Sequence, residues 1–518
     1  MQLGDPFYYL RNFEAMLATL ESRDGDLLDA DERDFMVDFS ALPLRSRALL
    51  VRMLMRKGPL FRGSRLVYAE IDGVPEAMRP LVERRWVDDR PPLCLEQLFR
   101  LVTKADVARY LKLPKQQMGI PKSELLADLR ALFPGERTFD AWCESSADCV
   151  FRLEIAGLCE RLRLMFFGNF RQDLTEFVLA DLGVFKYEKV AMDAGSRPFS
   201  TRRQVEDFHR LHQCRKMLHE GVDPAEIEPL LPSPIEDCEW LNERREKLLF
   251  QLARVWERQG ALTRACEIYS QCGYPGASER AGRLREGVGG SGRRRGPRKA
   301  SKAPEFTLLI EPGEHGRSVE WRVLEHLAAA GGRDTSVHFV ENALINSLFG
   351  LLCWPAVFAP VPGAFFHAFH HGPADITSTR FRERREQEFA RCFAELRCGS
   401  YKDTLRRRLI EKAGTSSPFV AWELLDEALL ETSLTCFPAA HLERWFDWIV
   451  RDVRANRSGF PDLVQFWPAS GRYRLIEVKG PGDRLQDNQR RCLEYCLEHG
   501  MPVSVCHVRW ELSARLAP

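Results

Sequence analysis

No two of the 15 cysteines stand as Cys-x-x-Cys, and no zinc-finger spacing of Cys and His occurs. The odd count and irregular spacing exclude a disulfide framework, so reduced thiols are expected. The closest pair, Cys492 and Cys496, lies one helical turn apart and is expected to face a core. Net charge is missing too: 75 basic against 74 acidic side chains leave +1. Attraction to a polyanion must then come from local patches. Lysine is scarce, at 14 against 61 arginines, a bias that base composition produces as readily as phosphate recognition does. The N-terminus, Met1-Gln-Leu-Gly-Asp5-Pro, lacks the basic-then-apolar build of a secretory leader. One long stretch, Asn342–Ala374, has no Asp, Glu, Lys or Arg, but it holds Pro355, Pro360 and Pro362. Those prolines break any spanning helix, so a buried core helix with its following loop is expected, and no membrane partner.

What is present is an ordinary soluble mixture over 518 residues, 45% hydrophobic and 29% charged, long enough for two to four domains. Residues 1–90 read as helices with a basic character. Leu49, Leu50, Met53 and Leu54 recur at helical spacing, flanked by Arg45, Arg47, Arg52, Arg56, Lys57, Arg62 and Arg65. The apolar side packs; the basic side, with Arg52, Arg56 and Lys57 as its centre, either contacts DNA phosphates or is a solvated face. Residues 91–135 read as two short helices joined by a turn. Thr103 offers an N-cap, and Lys104 and Lys122 are expected on an exposed face within reach of phosphates. This unit resembles a SAP module. Residues 136–286 are helical in pattern, and Leu248–Ala253, Gly260, Ala265, Tyr269 and Pro275 resemble one tetratricopeptide-type hairpin. Residues 287–303 begin in glycine and run into Arg293–Lys302, which holds six basic residues and no acid. This is expected to be a flexible basic linker to a C-terminal domain at 304–518.

The chemistry lies in that last domain. Gly459-Phe-Pro-Asp462-Leu-Val-Gln-Phe-Trp467 and Tyr473-Arg-Leu-Ile-Glu477-Val-Lys479 are two β-rich runs around a Ser-Gly turn, which predicts a hairpin. Side chains alternate along a strand, so Glu477 and Lys479 share one face while Ile476 and Val478 share the other. Asp462 begins the partner strand and can lie across from Glu477. Two carboxylates and an amine converge. Mg²⁺ takes a hard oxygen shell of carboxylates, water and phosphate oxygens, and a lysine beside it can hold or deprotonate the attacking water. A bare Glu-x-Lys on a strand is otherwise a commonplace ion pair.

The spacing Pro-Asp, fourteen residues, Glu-Val-Lys, with a hairpin between, resembles the PD-(D/E)xK nuclease core. The helix beginning near Gln489 and the apolar strand Val503–Val508 complete that core's order. Glu477-Val-Lys-Gly-Pro-Gly-Asp-Arg-Leu485 with Gly459-Phe-Pro-Asp-Leu463 is similar to its VRR-NUC branch. His338-Phe-Val-Glu341-Asn, followed by Leu348–Trp354, resembles the first catalytic motif of the Fanconi-associated nuclease family. The resemblance implies a multidomain chain: a mostly α-helical body of SAP-like and tetratricopeptide-like parts, then an α/β VRR-NUC nuclease domain. It implies Glu341, Asp462, Glu477 and the Val478 carbonyl as metal ligands, Lys479 as the catalytic lysine and Gln489 as a supporting polar residue. Asn342 stands where the family pattern leads one to expect Gly. His367, His370 and His371 lie among phenylalanines and are expected to be a partly buried, non-ligating set.

The activity so implied is structure-selective cleavage of DNA, endonucleolytic or 5′-exonucleolytic, near 5′ flaps and branched junctions. It would use one or two Mg²⁺ or Mn²⁺ ions, and it would serve interstrand crosslink repair. The alternatives are a four-way-junction resolvase and a non-catalytic junction scaffold. Arg454 and Arg457, just upstream of Asp462, are expected either to read a terminal phosphate or to contact ordinary backbone phosphates. The ubiquitin-binding finger of animal members is not expected. A bacterial-type monomer is, acting in the cytoplasm at the nucleoid, or in the nucleus if the source is eukaryotic.

Overall fold

The computed structural model describes residues 5–113, 119–143, 146–192, 195–234, 238–289, 302–310, 318–332 and 334–510. Most of the expected linker, 290–301, lies outside the described residues, and its first residues belong to the helix Ala277–Gly289. The chain forms two compact units, one of residues 1–184 and 197–277, the other of residues 185–196 and 278–518. The segment 185–196 therefore belongs with the C-terminal unit, although it falls inside the helical region expected at 136–286.

The first unit is helical, as expected, but three short strands were not foreseen. β1 (Leu60–Arg62), β2 (Val87–Asp88) and β3 (Val150–Leu153) form a sheet in the order β1-β3-β2. Strands of two to four residues carry too few alternations for a period to be legible. The helix Leu44–Leu54 buries Leu49, Leu50 and Met53 completely, as its spacing predicts. Arg52 departs from expectation. Its Nε donates to the Glu70 carboxylate at 2.8 Å and its guanidinium lies 3.9 Å from the centre of the Tyr9 ring. It serves the fold there rather than standing free on a basic face. Arg56 and Lys57 are exposed, with Arg56 Nη1 donating to the Arg65 carbonyl at 3.1 Å.

In the SAP-like part, Thr103 and Asp106 form the capping box that starts the helix Lys104–Tyr110, and the helix Lys122–Arg130 follows. Both lysines correct the expectation of an exposed face. Lys104 Nζ donates to the Ile120 carbonyl, and Lys122 Nζ to the Val102 carbonyl at 2.7 Å. Each ammonium satisfies a loop carbonyl and so ties one helix to the approach of the other. Later, Glu239–Arg258 and Leu262–Gln271 form the expected hairpin. Gly260 turns the chain at φ +83°, and the Tyr269 hydroxyl donates to Glu257 at 2.8 Å.

The second unit is built on five strands: β4 (Glu305–Ile310), β5 (Ser336–Phe339), β6 (Leu463–Trp467), β7 (Arg472–Lys479) and β8 (Val503–Trp510). Their order is β4-β8-β7-β6-β5. β8 runs parallel to both β4 and β7, whereas β5, β6 and β7 are antiparallel in turn. Leu463, Ile476, Val478, Cys506 and Val508 pack on one face under the helix Val319–Ala330. Val464, Phe466, Leu475, Val503 and Val505 join a larger helical core on the other. Each strand thus splits its side chains by parity, the pattern of a sheet buried on both faces. Cys492 and Cys496 face that larger core, as expected. So does the charge-free stretch: every residue of the helix Leu344–Leu352 is buried. Among the described residues no helix is long and apolar enough to cross a membrane.

Candidate active site

The hairpin places the carboxylates. β6 and β7 are joined by a single helical turn, Pro468–Ser470, and by Gly471 at φ +60°. Leu463 pairs with Ile476, so Asp462, one residue before β6, falls opposite Glu477 on the same face. The cross-strand distance is closed by a bond: Asp462 Oδ2 accepts from the Val478 amide N–H at 2.8 Å. Glu341 follows β5 in the turn that precedes the helix Leu344–Leu352. Its amide N–H and that of Val340 both donate to the Asp462 carbonyl, at 3.2 and 2.8 Å. The expected trio thus comes from three adjacent stretches of backbone that are hydrogen-bonded to one another.

Lys479 follows Glu477 on that face. Its ammonium lies 2.8 Å from Glu477 Oε1 and donates to Gln489 Oε1 at 3.1 Å. Gln489 Oε1 also accepts from the Gln486 amide at 2.9 Å, in the capping box that starts the helix Asp487–Glu498. One carboxamide thus fixes both the helix start and the lysine.

The electrostatics are costly as they stand. Burial, with Glu320 and Glu341 as further like charges, raises the Asp462 carboxyl to about 6 against the stabilising Val478 N–H. Burial followed by the facing Asp462 raises Glu477 to about 7, even with Lys479 beside it. Glu477 is fully buried, and no hydrogen bond reaches either oxygen apart from the Lys479 ion pair. Two buried carboxylates that resist ionising, one with underused oxygens, are what a hard divalent cation would relieve. The donor set therefore fits such an ion. Among the described residues no three Asp, Glu, His or Cys side chains are already drawn together at ligand spacing; on Glu477, the Lys479 ammonium is the cation that is present.

One residue of this site escaped the sequence. Glu320, at the start of the helix Val319–Ala330, acts on Asp462, and its neighbour Val319 approaches Gly480, directly after Lys479. Nothing in the local pattern marks it beyond a serine N-cap position. Asn342 has a left-handed backbone, φ +53°, which gives a reason why glycine would also fit there. The histidines are packed as expected: the His367 and His370 rings stack at 3.9 Å, His367 Nδ1 accepts from the Phe369 amide at 3.0 Å, and His371 Nδ1 bonds to the Ser416 hydroxyl. Arg454 and Arg457 are both exposed, and the Arg457 guanidinium lies 5.9 Å from the centre of the Phe419 ring.

Comparison with known proteins finds relatives along nearly the whole chain. The VRR-NUC domain matches residues 397–510, the FAN1 HTH domain residues 7–88, and the Fanconi anemia-associated nuclease SAP domain residues 92–142. The chain is 46% identical to the Fanconi-associated nuclease 1 homolog of Pseudomonas aeruginosa, over 98% of this chain and 97% of that one. It is 23% identical to the homolog of Arabidopsis thaliana, over 97% of this chain and 67% of that one. Its structure is similar to the crystal structure of paFAN1 bound to 2nt 5′flap DNA with gap, with a TM-score of 0.91 and 44% identity, covering 99% of this chain and 100% of that one. The chain is a DNA nuclease and belongs to the Fanconi-associated nuclease family.

Proposed function

We propose that this nuclease hydrolyses phosphodiester bonds near 5′ flaps and branched junctions, with Mg²⁺ or Mn²⁺ as cofactor, in the service of interstrand crosslink repair. The observation that carries the chemistry is the buried Asp462–Glu477 pair facing a lysine that Gln489 holds in place. The substrate preference rests on the likeness to a protein crystallised on 5′ flap DNA.

Glu341, Asp462, Glu477 and the Val478 carbonyl would hold the cation, which when bound supplies an acidified water and neutralises charge building on the phosphate. The residues do the rest. Asp462 is kept in place by the Val478 N–H, so its second oxygen is directed without a search over rotamers. Lys479, ion-paired with Glu477 at 2.8 Å, is also tethered through Gln489 Oε1. From there its N–H donors can orient the attacking water and offset charge on the phosphate. The water oxygen bonds phosphorus as the P–O3′ bond breaks, the water proton passes to solvent and the 3′-oxygen takes one up, leaving 5′-phosphate and 3′-hydroxyl ends. Arg454 and Arg457, exposed eight and five residues before Asp462, would meet a strand end or its backbone phosphates. The length of appended helical chain favours a monomer over the dimer that a four-way-junction resolvase would need.

Asp462→Ala and Lys479→Ala are expected to lower single-turnover cleavage of a 5′ flap roughly a hundredfold or more. Binding of the same flap in chelator should stay close to that of the unaltered protein. Normal cleavage by either variant would remove these residues from the active site.

A further inference from the structure

Asn342 stands where three parts of the site meet. The two carboxylate-bearing turns touch through backbone already: the Val340 and Glu341 amides donate to the Asp462 carbonyl. The Asn342 side chain adds a second set of bonds. Its Oδ1 accepts from the Gly459 amide at 2.7 Å and from the Phe460 amide at 3.0 Å. Both amides belong to the Gly459-Phe-Pro-Asp462 turn. Its backbone carbonyl accepts from Asn346 Nδ2, which also donates to the Arg457 carbonyl at 2.8 Å.

The two amide donors fix which end of the carboxamide is oxygen, so the amino end must face the other way. There it meets Glu341, with Nδ2 at 3.5 Å from Oε1. Gly459 carries the contact further. A Cβ on Gly459 would come within 2.6 Å of the Asn488 carbonyl carbon and 3.0 Å of the Gln489 nitrogen, and its φ is +97°. The Gly459 peptide is therefore pressed between the Asn342 carboxamide and the start of the helix whose Gln489 holds Lys479.

We infer that Asn342 is a positioning residue, which locks the Glu341 turn to the Asp462 turn and aims the Glu341 carboxylate at the cation. The inference rests on the metal site proposed above. A glycine could adopt the left-handed backbone without strain, yet it offers neither the acceptor for Gly459 and Phe460 nor the donor towards Glu341. Asparagine supplies all three at little conformational cost.

The test separates backbone from side chain and binding from turnover. Asn342→Gly keeps the left-handed turn and loses the side-chain bonds. Asn342→Asp tolerates the same backbone and restores the acceptor for Gly459 and Phe460. Mn²⁺ binding to the full-length, DNA-free protein is followed by the loss of the free-ion paramagnetic resonance signal, with Glu341→Gln and Asp462→Asn as references. Asn342→Gly is expected to bind Mn²⁺ about tenfold more weakly, the usual scale for losing a bond that orients a ligand. Asn342→Asp keeps the acceptor for Gly459 and Phe460 but loses the donor towards Glu341, so it should recover only part of that loss, and flap binding in chelator should be unchanged in both. If both references weaken Mn²⁺ binding while Asn342→Gly binds like the unaltered protein, the positioning role is wrong and the metal site stands. If the references bind normally as well, the metal site falls and the positioning role with it.

Discussion

Asp462 and Glu477 are raised to about 6 and about 7, whereas an exposed carboxyl in an unfolded chain loses its proton near 4. Between those values the folded, metal-free protein holds protons that the unfolded chain has released. Their contribution to stability is therefore complete below about pH 4 and is lost as the pH rises through 6 to 7. Glu477→Gln cannot ionise and should escape that loss. In chelator at about pH 8 it is expected to be more stable than the unaltered protein by on the order of 2 kcal/mol, with the gain fading towards about pH 5. Denaturant melts at the two pH values measure this, and an equal effect at both would mean that Glu477 ionises normally. The same residue should be indispensable to cleavage, so stability and activity part company at one carboxylate. That separation is common where a site is built for a ligand rather than for the resting fold.

At the scale of elements, similar arginines on one helical stretch have different duties. Arg52 is paired with Glu70 and stacked on Tyr9, whereas Arg56 and Lys57 are exposed. Arg52→Ala is therefore expected to cost about 2 kcal/mol of stability, since it leaves Glu70 half-buried without its partner. Replacing Arg56 and Lys57 together with Gln should leave the melting curve alone and weaken flap binding instead. If each contacts one phosphate, the slope of log affinity against log salt falls by about 1.8. An unchanged slope would make them a solvated face. The contrast shows what the sequence can and cannot carry. The apolar positions Leu49, Leu50 and Met53 were legible because helical burial repeats along the chain. The duty of Arg52 was not, because Glu70 and Tyr9 reach it from other elements. Lys104 and Lys122 were misplaced for the same reason: their carbonyl partners, Ile120 and Val102, are set by how the turns fold back. The hairpin of Asp462, Glu477 and Lys479 was legible because strand parity and a short turn fix its geometry locally. Glu320 and the bonds made by Asn342 were not, since both depend on contacts across the sheet and between loops.

For the whole molecule, chain order and spatial unit do not coincide. Residues 185–196 leave the helical part of the sequence to join the nuclease unit. There the Ser416 amide donates to the Lys186 carbonyl at 2.7 Å, and Lys412 pairs with Glu188 at 2.8 Å. No local pattern announces that exchange, which is why the boundary read from composition alone misses it. The residues matched by the VRR-NUC domain lie in the second unit, and the likeness to the protein crystallised on 5′ flap DNA extends over 99% of the chain. The most direct measurement is cleavage by the full-length protein of end-labelled 5′ flap, fork, nicked and four-way DNA, each with Mg²⁺, Mn²⁺ or chelator. The expected result is incision close to the 5′ flap junction with either ion, little on the four-way junction, and none in chelator. Cleavage that persists in chelator, or that treats all four substrates alike, would contradict a metal-dependent nuclease that reads a 5′ flap.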